Sequence, residues 1–110
     1  MADTTDNDFS DAALALLRAN LGYYGSDLDP DVERYLKSLL GYAGRALADA
    51  GIYLTYGDVY DDELQAMYAA WVYRKGGDGT AKPPMLQTAI RNRQVAKALL
   101  DAQIKEELSI

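Results

Sequence analysis

The sequence predicts an all-α fold, a small bundle of about four helices with a long C-terminal helix. Apolar residues recur at intervals of three and four in four segments, which is the spacing of one buried helix face. Helix-capping residues begin these segments, and glycine or proline separates them. One alternating stretch, residues 52–57, has no second strand to pair with, so we expect a packed loop there.

The first two helices are predicted from their ends. Ser10 is a good N-cap for the first helix, and Gly22 is placed to end it. Asp29 caps the second helix, Pro30 takes its first position, and Gly51 stops it. The second helix is therefore expected to run the full width of a small domain, about 30 Å.

The last two helices are separated by a glycine-rich connector. The third is predicted to begin near Asp61 and to end at Gly76, and the fourth covers about residues 84–108. The fourth is longer than a domain of this size needs for its own core. Its main stripe is apolar at both ends and polar at residues 91–94, and that break favours a far end that leaves the bundle. The alternatives are a tail that folds back on its own bundle and a tail that frays.

The predicted core joins the second and third helices. Apolar side chains at helical spacing form a stripe on each, and Trp71 is expected to anchor the contact. The predicted core residues are Leu36, Leu39, Leu47, Leu64, Met67, Tyr68 and Trp71.

The chain divides into three predicted parts. Residues 1–8 form a flexible acidic N-terminus, residues 9–98 a helical domain, and residues 99–110 a C-terminal helical extension that docks on a partner. A solvated chain end would not normally carry the apolar density of this extension. The residues expected to dock are Leu99, Leu100, Ile104, Leu108 and Ile110.

Composition argues against an enzyme, a metal and a cofactor. The chain has no cysteine and no histidine, which removes a thiolate zinc site, a cysteine nucleophile, the commonest metal ligand and the commonest general base. No apolar run approaches the roughly 18 residues that a membrane span needs, so we expect no membrane partner. The acidic N-terminus is unlike a signal peptide, which indicates a protein made and used in a cytosol or in something assembled there.

Two weak motifs do not meet their chemical requirements. Aspartates at positions 27, 29 and 31 resemble the start of a calcium loop, but Val32 replaces its glycine and Ser38 its bidentate glutamate. Residues 76–83 resemble a phosphate-binding loop, but they lack the lysine–hydroxyl pair and follow a helix rather than a strand. Helix capping and a flexible connector explain both segments.

Charge is distributed unevenly along the chain, whose net charge is −6. Residues 1–33 sum to −7 and residues 74–97 to +5. The pattern is either a solvated surface with an accidental bias or a head-to-tail contact between subunits. The candidate contact residues are Arg74, Arg91, Arg93, Lys97, Asp27, Asp29 and Asp31. Residues 74–97 could alternatively bind nucleic acid, as in a small regulatory helical protein.

Tyrosine is the favoured aromatic residue. Nine tyrosines stand against one phenylalanine and one tryptophan. A tyrosine buries its ring while its hydroxyl stays in water, which suits protein interfaces. The excess therefore indicates either a core that happens to use tyrosine or a surface that binds other proteins.

One helix pair resembles a known family. Residues 67–75 read MYAAWVYRK, a glycine-rich spacer follows, and Pro84-Met85-Leu86 and AIRNR at residues 89–93 complete the pattern. This pattern resembles the head–tail connector (adaptor) family of long-tailed bacteriophages. The resemblance covers about residues 9–95 and includes the order of the upstream helices, so residues 1–8 and the extension past Lys97 lie outside it.

The resemblance implies a structural virion protein. Its subunits would form a homo-oligomeric ring, expected to be a dodecamer, beneath the portal protein at the capsid vertex. The ring would continue the channel, through which genomic DNA passes without specific binding. It would also present a platform to the next neck protein, a stopper (head-completion) protein or a tail terminator. In such proteins the C-terminal segment tends to reach into the portal. The expected location is the virion neck, after assembly in the bacterial host cytoplasm.

Overall fold

The computed structural model describes residues 9–25, 28–75 and 81–108, without the side chains of residues 107 and 108. This part of the chain contains four α-helices and no strand. The helices are α1 (Asp11–Leu21), α2 (Pro30–Asp49), α3 (Val59–Lys75) and α4 (Pro84–Leu108). The prediction of an all-α bundle with a long last helix is confirmed.

The ends of α1 and the start of α2 follow the predicted capping chemistry. The Ser10 hydroxyl accepts a hydrogen bond from the Ala13 N–H at 3.1 Å, and Gly22 ends α1 with a left-handed φ of 85°. Only glycine adopts that conformation without strain. The Asp29 carboxylate accepts from the Asp31 N–H at 2.8 Å, and Pro30 follows it as the first residue of α2.

The predicted packed loop joins α2 to α3. Gly51 turns the chain with a φ of 88°, and the Ile52 N–H donates back to the Leu47 carbonyl at 2.8 Å. Ile52 is fully buried, so the loop contributes an apolar side chain to the core. The turn therefore ends α2, and the loop that follows it packs on the bundle.

The third helix begins one half-turn before the predicted Asp61. Asp58 is its cap, because one Asp58 carboxylate oxygen accepts from the N–H groups of Tyr60 at 2.9 Å and Asp61 at 3.2 Å. Acids at a helix N-terminus commonly remain at the surface and interact with the helix dipole. The side chains of Asp61 and Asp62 are instead buried, at 1% and 3% exposure.

The central element is α3, which packs against α1, α2 and α4. Alanines on several of its faces let the neighbouring helices approach, and Gln65 lies in the core among them. The Gln65 side-chain amide donates to the Leu40 carbonyl of α2 at 2.9 Å. A buried amide is stable only with such partners, so this contact fixes α3 on α2.

The structure places the predicted core residues at two depths. Leu36, Leu39, Leu47, Leu64 and Tyr68 are buried, whereas Met67 and Trp71 are half-buried at the edge of the same cluster. Trp71 is thus not the central anchor. Its ring meets Tyr68 edge-on with centroids 5.5 Å apart, and the Lys82 ammonium lies 5.2 Å from the Trp71 centroid. The core also includes fully buried side chains outside the prediction, among them Leu17, Leu40, Ile52 and Leu86.

Candidate docking surface on the fourth helix

The first half of α4 packs on the bundle. Leu86 is buried at 1% exposure, and Ala89 and Ile90 are half-buried against the core. The side-chain stripe Leu86, Ile90, Arg93, Lys97 recurs at intervals of four, three and four, so one helix face makes all these contacts. Along this face of α4, apolar contacts at Leu86 and Ile90 are therefore followed by polar contacts at Arg93 and Lys97.

Asp61 is the centre of those polar contacts. Its two carboxylate oxygens accept hydrogen bonds from the Arg93 guanidinium at 2.6 Å, the Lys97 ammonium at 2.6 Å and the Thr55 N–H at 2.7 Å. We call these four residues the Asp61 cluster. It joins three elements: α4, the α2–α3 loop and the first turn of α3.

Two further bonds hold the same stretch of α4. The Lys97 ammonium also donates to the Tyr53 carbonyl at 2.8 Å, and the Gln94 amide donates to the Ala50 carbonyl at 2.8 Å. In the sequence, the polar break at residues 91–94 favours a far end that leaves the bundle. The break itself stays on the bundle, because Arg93 and Gln94 bind it through hydrogen bonds rather than apolar contacts.

The environment of Asp61 favours its ionised form. Burial pushes the pKa of Asp61 upward, but hydrogen bonds from Lys97, the Thr55 N–H and Arg93, with the Lys97 charge, outweigh it. The pKa of Asp61 therefore lies below its usual value. A buried carboxylate with two cationic partners is a structural ion cluster, and its partners leave it poorly placed for proton transfer.

The remainder of α4, from Ala98 onward, is here called the tail. Of the predicted docking residues, Leu99 is 62% exposed, Leu100 54% and Ile104 46%. The Leu108 side chain and Ile110 lie outside the described residues. The described part of the tail therefore does not fold back onto its own bundle.

The predicted subunit-contact bases differ in how they are used within the chain. Arg93 and Lys97 belong to the Asp61 cluster. Arg74 donates to the Asn20 carbonyl at 2.9 Å and to the Asn20 side chain at 2.7 Å, which ties α3 to the end of α1. Arg91 is exposed on α4. Arg74 and Arg91 thus both lie at the surface, Arg74 while bound to Asn20.

The predicted acidic side lies at the beginning of α2. Asp29 caps the helix, and Asp31 pairs with Arg34 at 2.9 Å on the surface; Asp27 lies outside the described residues. Tyr35, one turn after Asp31, packs on Tyr73 of α3 with ring centroids 6.0 Å apart. The acidic start of α2 therefore lies beside the basic end of α3.

Most of the tyrosines lie at the surface, as an interface would require. Tyr23 and Tyr73 join their hydroxyls at 2.7 Å, and Tyr68 is in the core. The others are at least half exposed: Tyr24, Tyr35, Tyr42, Tyr53, Tyr56 and Tyr60.

Other kinds of site were sought in the part of the chain that the structure describes. Its acidic residues form no group of three or more that could hold a metal ion. Among the described helices, none has both the length and the apolar character to cross a membrane. The exposed apolar side chains of the tail are the remaining candidate for a binding surface among the described residues.

Comparison with known proteins gives no relative. No family model, no curated protein and no solved structure matches this chain. The functional argument therefore rests on the residues and geometry described above.

Proposed function

We propose that the chain is a structural virion protein, one subunit of a head–tail connector (adaptor) ring. The ring joins the portal to the next neck protein and continues the DNA channel. One observation carries the proposal: α4 extends past its own bundle and exposes Leu99, Leu100 and Ile104. Such side chains on an ordered helix are typical of a surface that a partner covers.

The shape of the subunit supports this role. The bundle is built by α1, α2 and α3 with the first half of α4, and the tail is not needed to close its core. A subunit of this kind can retain its fold while its tail reaches a different protein. In the proposed ring that protein is the portal, and the tail docks on it through its apolar side chains.

The ring contacts use other surfaces. The exposed tyrosines on the bundle are suited to subunit–subunit contacts, because they bury area with little loss of side-chain entropy. Asp29 and Asp31 remain exposed at the start of α2, and Arg91 is exposed on α4. These three residues are the proposed charged part of the contact. Arg93 and Lys97 are assigned to the Asp61 cluster instead.

The alternative function, nucleic-acid binding through residues 74–97, has less support. Two of the six bases in that segment, Arg93 and Lys97, neutralise the buried Asp61. Arg74 is bound to Asn20, and the Lys82 ammonium lies over two aromatic rings. These contacts leave few bases in position to track a phosphate backbone.

The direct test is assembly with a portal. The chain is co-expressed with a portal protein of a long-tailed phage, and particle mass is measured with and without residues 99–110. The proposal predicts a ring of subunits on the portal for the full chain and bare portal for the truncated chain. Full-length chain that stays apart from the portal, or that is retained on DNA in a salt-sensitive way, would contradict the connector role.

A further inference from the structure

Two tyrosines from distant parts of the chain meet at one edge of the bundle. Tyr23 follows the end of α1, and Tyr73 lies in the last turn of α3, 50 positions later. Their hydroxyl oxygens are 2.7 Å apart, and their rings meet edge-on with centroids 6.4 Å apart. Both side chains are partly buried against the core. We call Tyr23 and Tyr73 the tyrosine pair.

The hydroxyl contact brings the reactive ends of the two rings together. The carbons ortho to a phenol hydroxyl adjoin the carbon that carries it, and they hold much of the unpaired electron when the phenol is oxidised to a radical. In the tyrosine pair these carbons lie at the facing ends of the rings. The χ2 torsion of a tyrosine has a broad energy well, so side-chain rotation can bring one ortho carbon of each ring into contact.

Two other tyrosines lie close to the pair without the same contact. The Tyr35 ring packs on Tyr73 with centroids 6.0 Å apart and an angle of 46° between the planes. Tyr24 follows Tyr23 in the chain and is 81% exposed. Among the described residues, the hydroxyl that meets the Tyr73 hydroxyl is that of Tyr23. Tyr24 and Tyr35 are therefore matched comparisons for the pair.

The Tyr23 phenol keeps its proton at neutral pH. Its hydrogen bond with Tyr73, together with burial, raises the pKa of Tyr23 above the usual value. Oxidation of this residue therefore starts from the neutral phenol, which must lose both an electron and a proton.

We propose that Tyr23 and Tyr73 form an oxidative cross-linking site, at which a one-electron oxidant joins the two rings through a carbon–carbon bond. Each ring gives one electron to the oxidant and its hydroxyl proton to water. The two radicals couple between ortho carbons, and the ortho hydrogens then move to the oxygens, which restores both phenols. The chain loses two hydrogen atoms, and two equivalents of oxidant are reduced.

The cross-link has a large effect on stability because of where its ends lie in the chain. It closes a covalent loop from position 23 to position 73, which contains all of α2 and most of α3. A covalent bond across a long loop restricts the unfolded chain much more than the folded one. The thermal midpoint of the cross-linked chain should therefore rise by at least about 5 °C.

Photo-oxidation tests the site. The full chain, at low micromolar concentration, is illuminated briefly with tris(bipyridyl)ruthenium(II) and persulfate, which together generate a one-electron oxidant. The monomer is recovered under denaturing conditions, its dityrosine fluorescence is measured, and the linked peptides are identified by mass spectrometry. The variants Tyr23→Phe and Tyr73→Phe keep each ring and remove its hydroxyl. Tyr24→Phe and Tyr35→Phe are the controls, and circular dichroism verifies that every variant is folded.

The expected product is a monomer lighter by two hydrogen atoms, with its link between Tyr23 and Tyr73. Because the fold holds the two rings together, dityrosine fluorescence of the monomer should fall at least about tenfold in Tyr23→Phe and in Tyr73→Phe. It should stay within about twofold of the original in both controls, and unfolding in urea before illumination should remove the selective link.

Several results would overturn the proposal. They are a link that maps to other tyrosines, an equal loss in the control variants, an equal yield in urea, and a monomer without dityrosine. The last result would leave the tyrosine pair as a structural hydrogen bond only. This test needs no partner protein, so its outcome is independent of whether the chain joins a portal.

Discussion

The two halves of α4 share one side-chain stripe and have different surroundings. In the first half, Leu86 is buried and Arg93 and Lys97 bind Asp61; in the second half, Leu100 and Ile104 face solvent. Periodicity therefore identifies which face of a helix will be covered, but not which body covers it. The difference also shows that cations within an apolar stripe can join a helix to its bundle through a buried carboxylate.

The largest expected effect is on the Asp61 cluster. Asp61→Ala removes the acceptor for three donors. It leaves Lys97 with the Tyr53 carbonyl and Arg93 with a longer contact to Asp58, at 3.4 Å. We expect a loss of about 4 kcal/mol in the free energy of unfolding, since breaking a buried ion cluster is costly. Urea denaturation measures it. The control is Glu63→Ala, which removes an exposed acid two residues after Asp61 in α3. Similar losses in both variants would contradict the stabilising role of the cluster.

A matched pair of leucines compares the two halves of α4. Leu86→Ala leaves a cavity under the helix and should cost about 3 kcal/mol. Leu100→Ala removes an exposed side chain and should change the free energy of unfolding by less than about 0.5 kcal/mol. Denaturation midpoints for both variants test the contrast. A substantial cost at Leu100 would mean that the tail packs on its own bundle in solution.

Trp71→Ala tests how much the contacts between Trp71 and the start of α4 contribute to stability. It lines a groove together with Leu86 and Met85, and it is half-buried. Full burial would predict a cost of about 3–5 kcal/mol for Trp71→Ala; at the core edge we expect about 2 kcal/mol. The loss should be smaller than that of Leu86→Ala. The reverse order in thermal or chemical unfolding would return Trp71 to the centre of the core.

Acid should loosen the first half of α4. The pKa of Asp61 is lowered in the folded chain, so Asp61 contributes stability that is fully present above its unfolded pKa, about 3.9. That contribution is lost as pH falls from there through the folded pKa. In Asp61→Asn, the free energy of unfolding should therefore fall less between neutral pH and pH 3 than in the original chain. An equal fall in the variant would show that other carboxylates cause the loss of stability in acid.

The smallest expected effect is the removal of the tail. Deleting residues 99–110 takes away side chains that face solvent, so the thermal midpoint should stay within about 1 °C of that of the full chain. Differential scanning calorimetry provides the measurement. A fall of several degrees would show that the tail is covered by its own bundle, which is the self-packing alternative.

Local chemistry predicted much of the fold. Ser10, Gly22, Asp29 and Pro30 mark helix ends by short-range hydrogen bonds and backbone geometry, and the structure has those ends where the sequence predicts them. The start of α3 was missed because two aspartates, at 58 and 61, both suit a helix N-terminus. Only the fold shows that Asp58 caps the helix and Asp61 turns inward.

The candidate site was harder to predict because its key contact is long-range. Asp61 and Lys97 are 36 positions apart, and the cluster forms only once α4 crosses the loop. One signal was present: Arg93 and Lys97 occupy the same stripe as Leu86 and Ile90. Bases at core-facing positions need a buried carboxylate, and the acids at the start of α3 were the candidates. The exposure of Leu100 and Ile104, in contrast, is what the predicted length of α4 implies, because that helix is longer than its own bundle needs.

The Gln65 amide also determines how α2 and α3 can slide past each other. A shift of one helical turn would move the two helices by about 5.4 Å, which would replace one leucine contact with another at modest cost. It would also move the Gln65 side-chain amide away from the Leu40 carbonyl and leave its N–H donor among apolar side chains. A polar group of this kind selects a single alignment among several apolar ones. The surface of the bundle is thereby built on one register of α2 against α3.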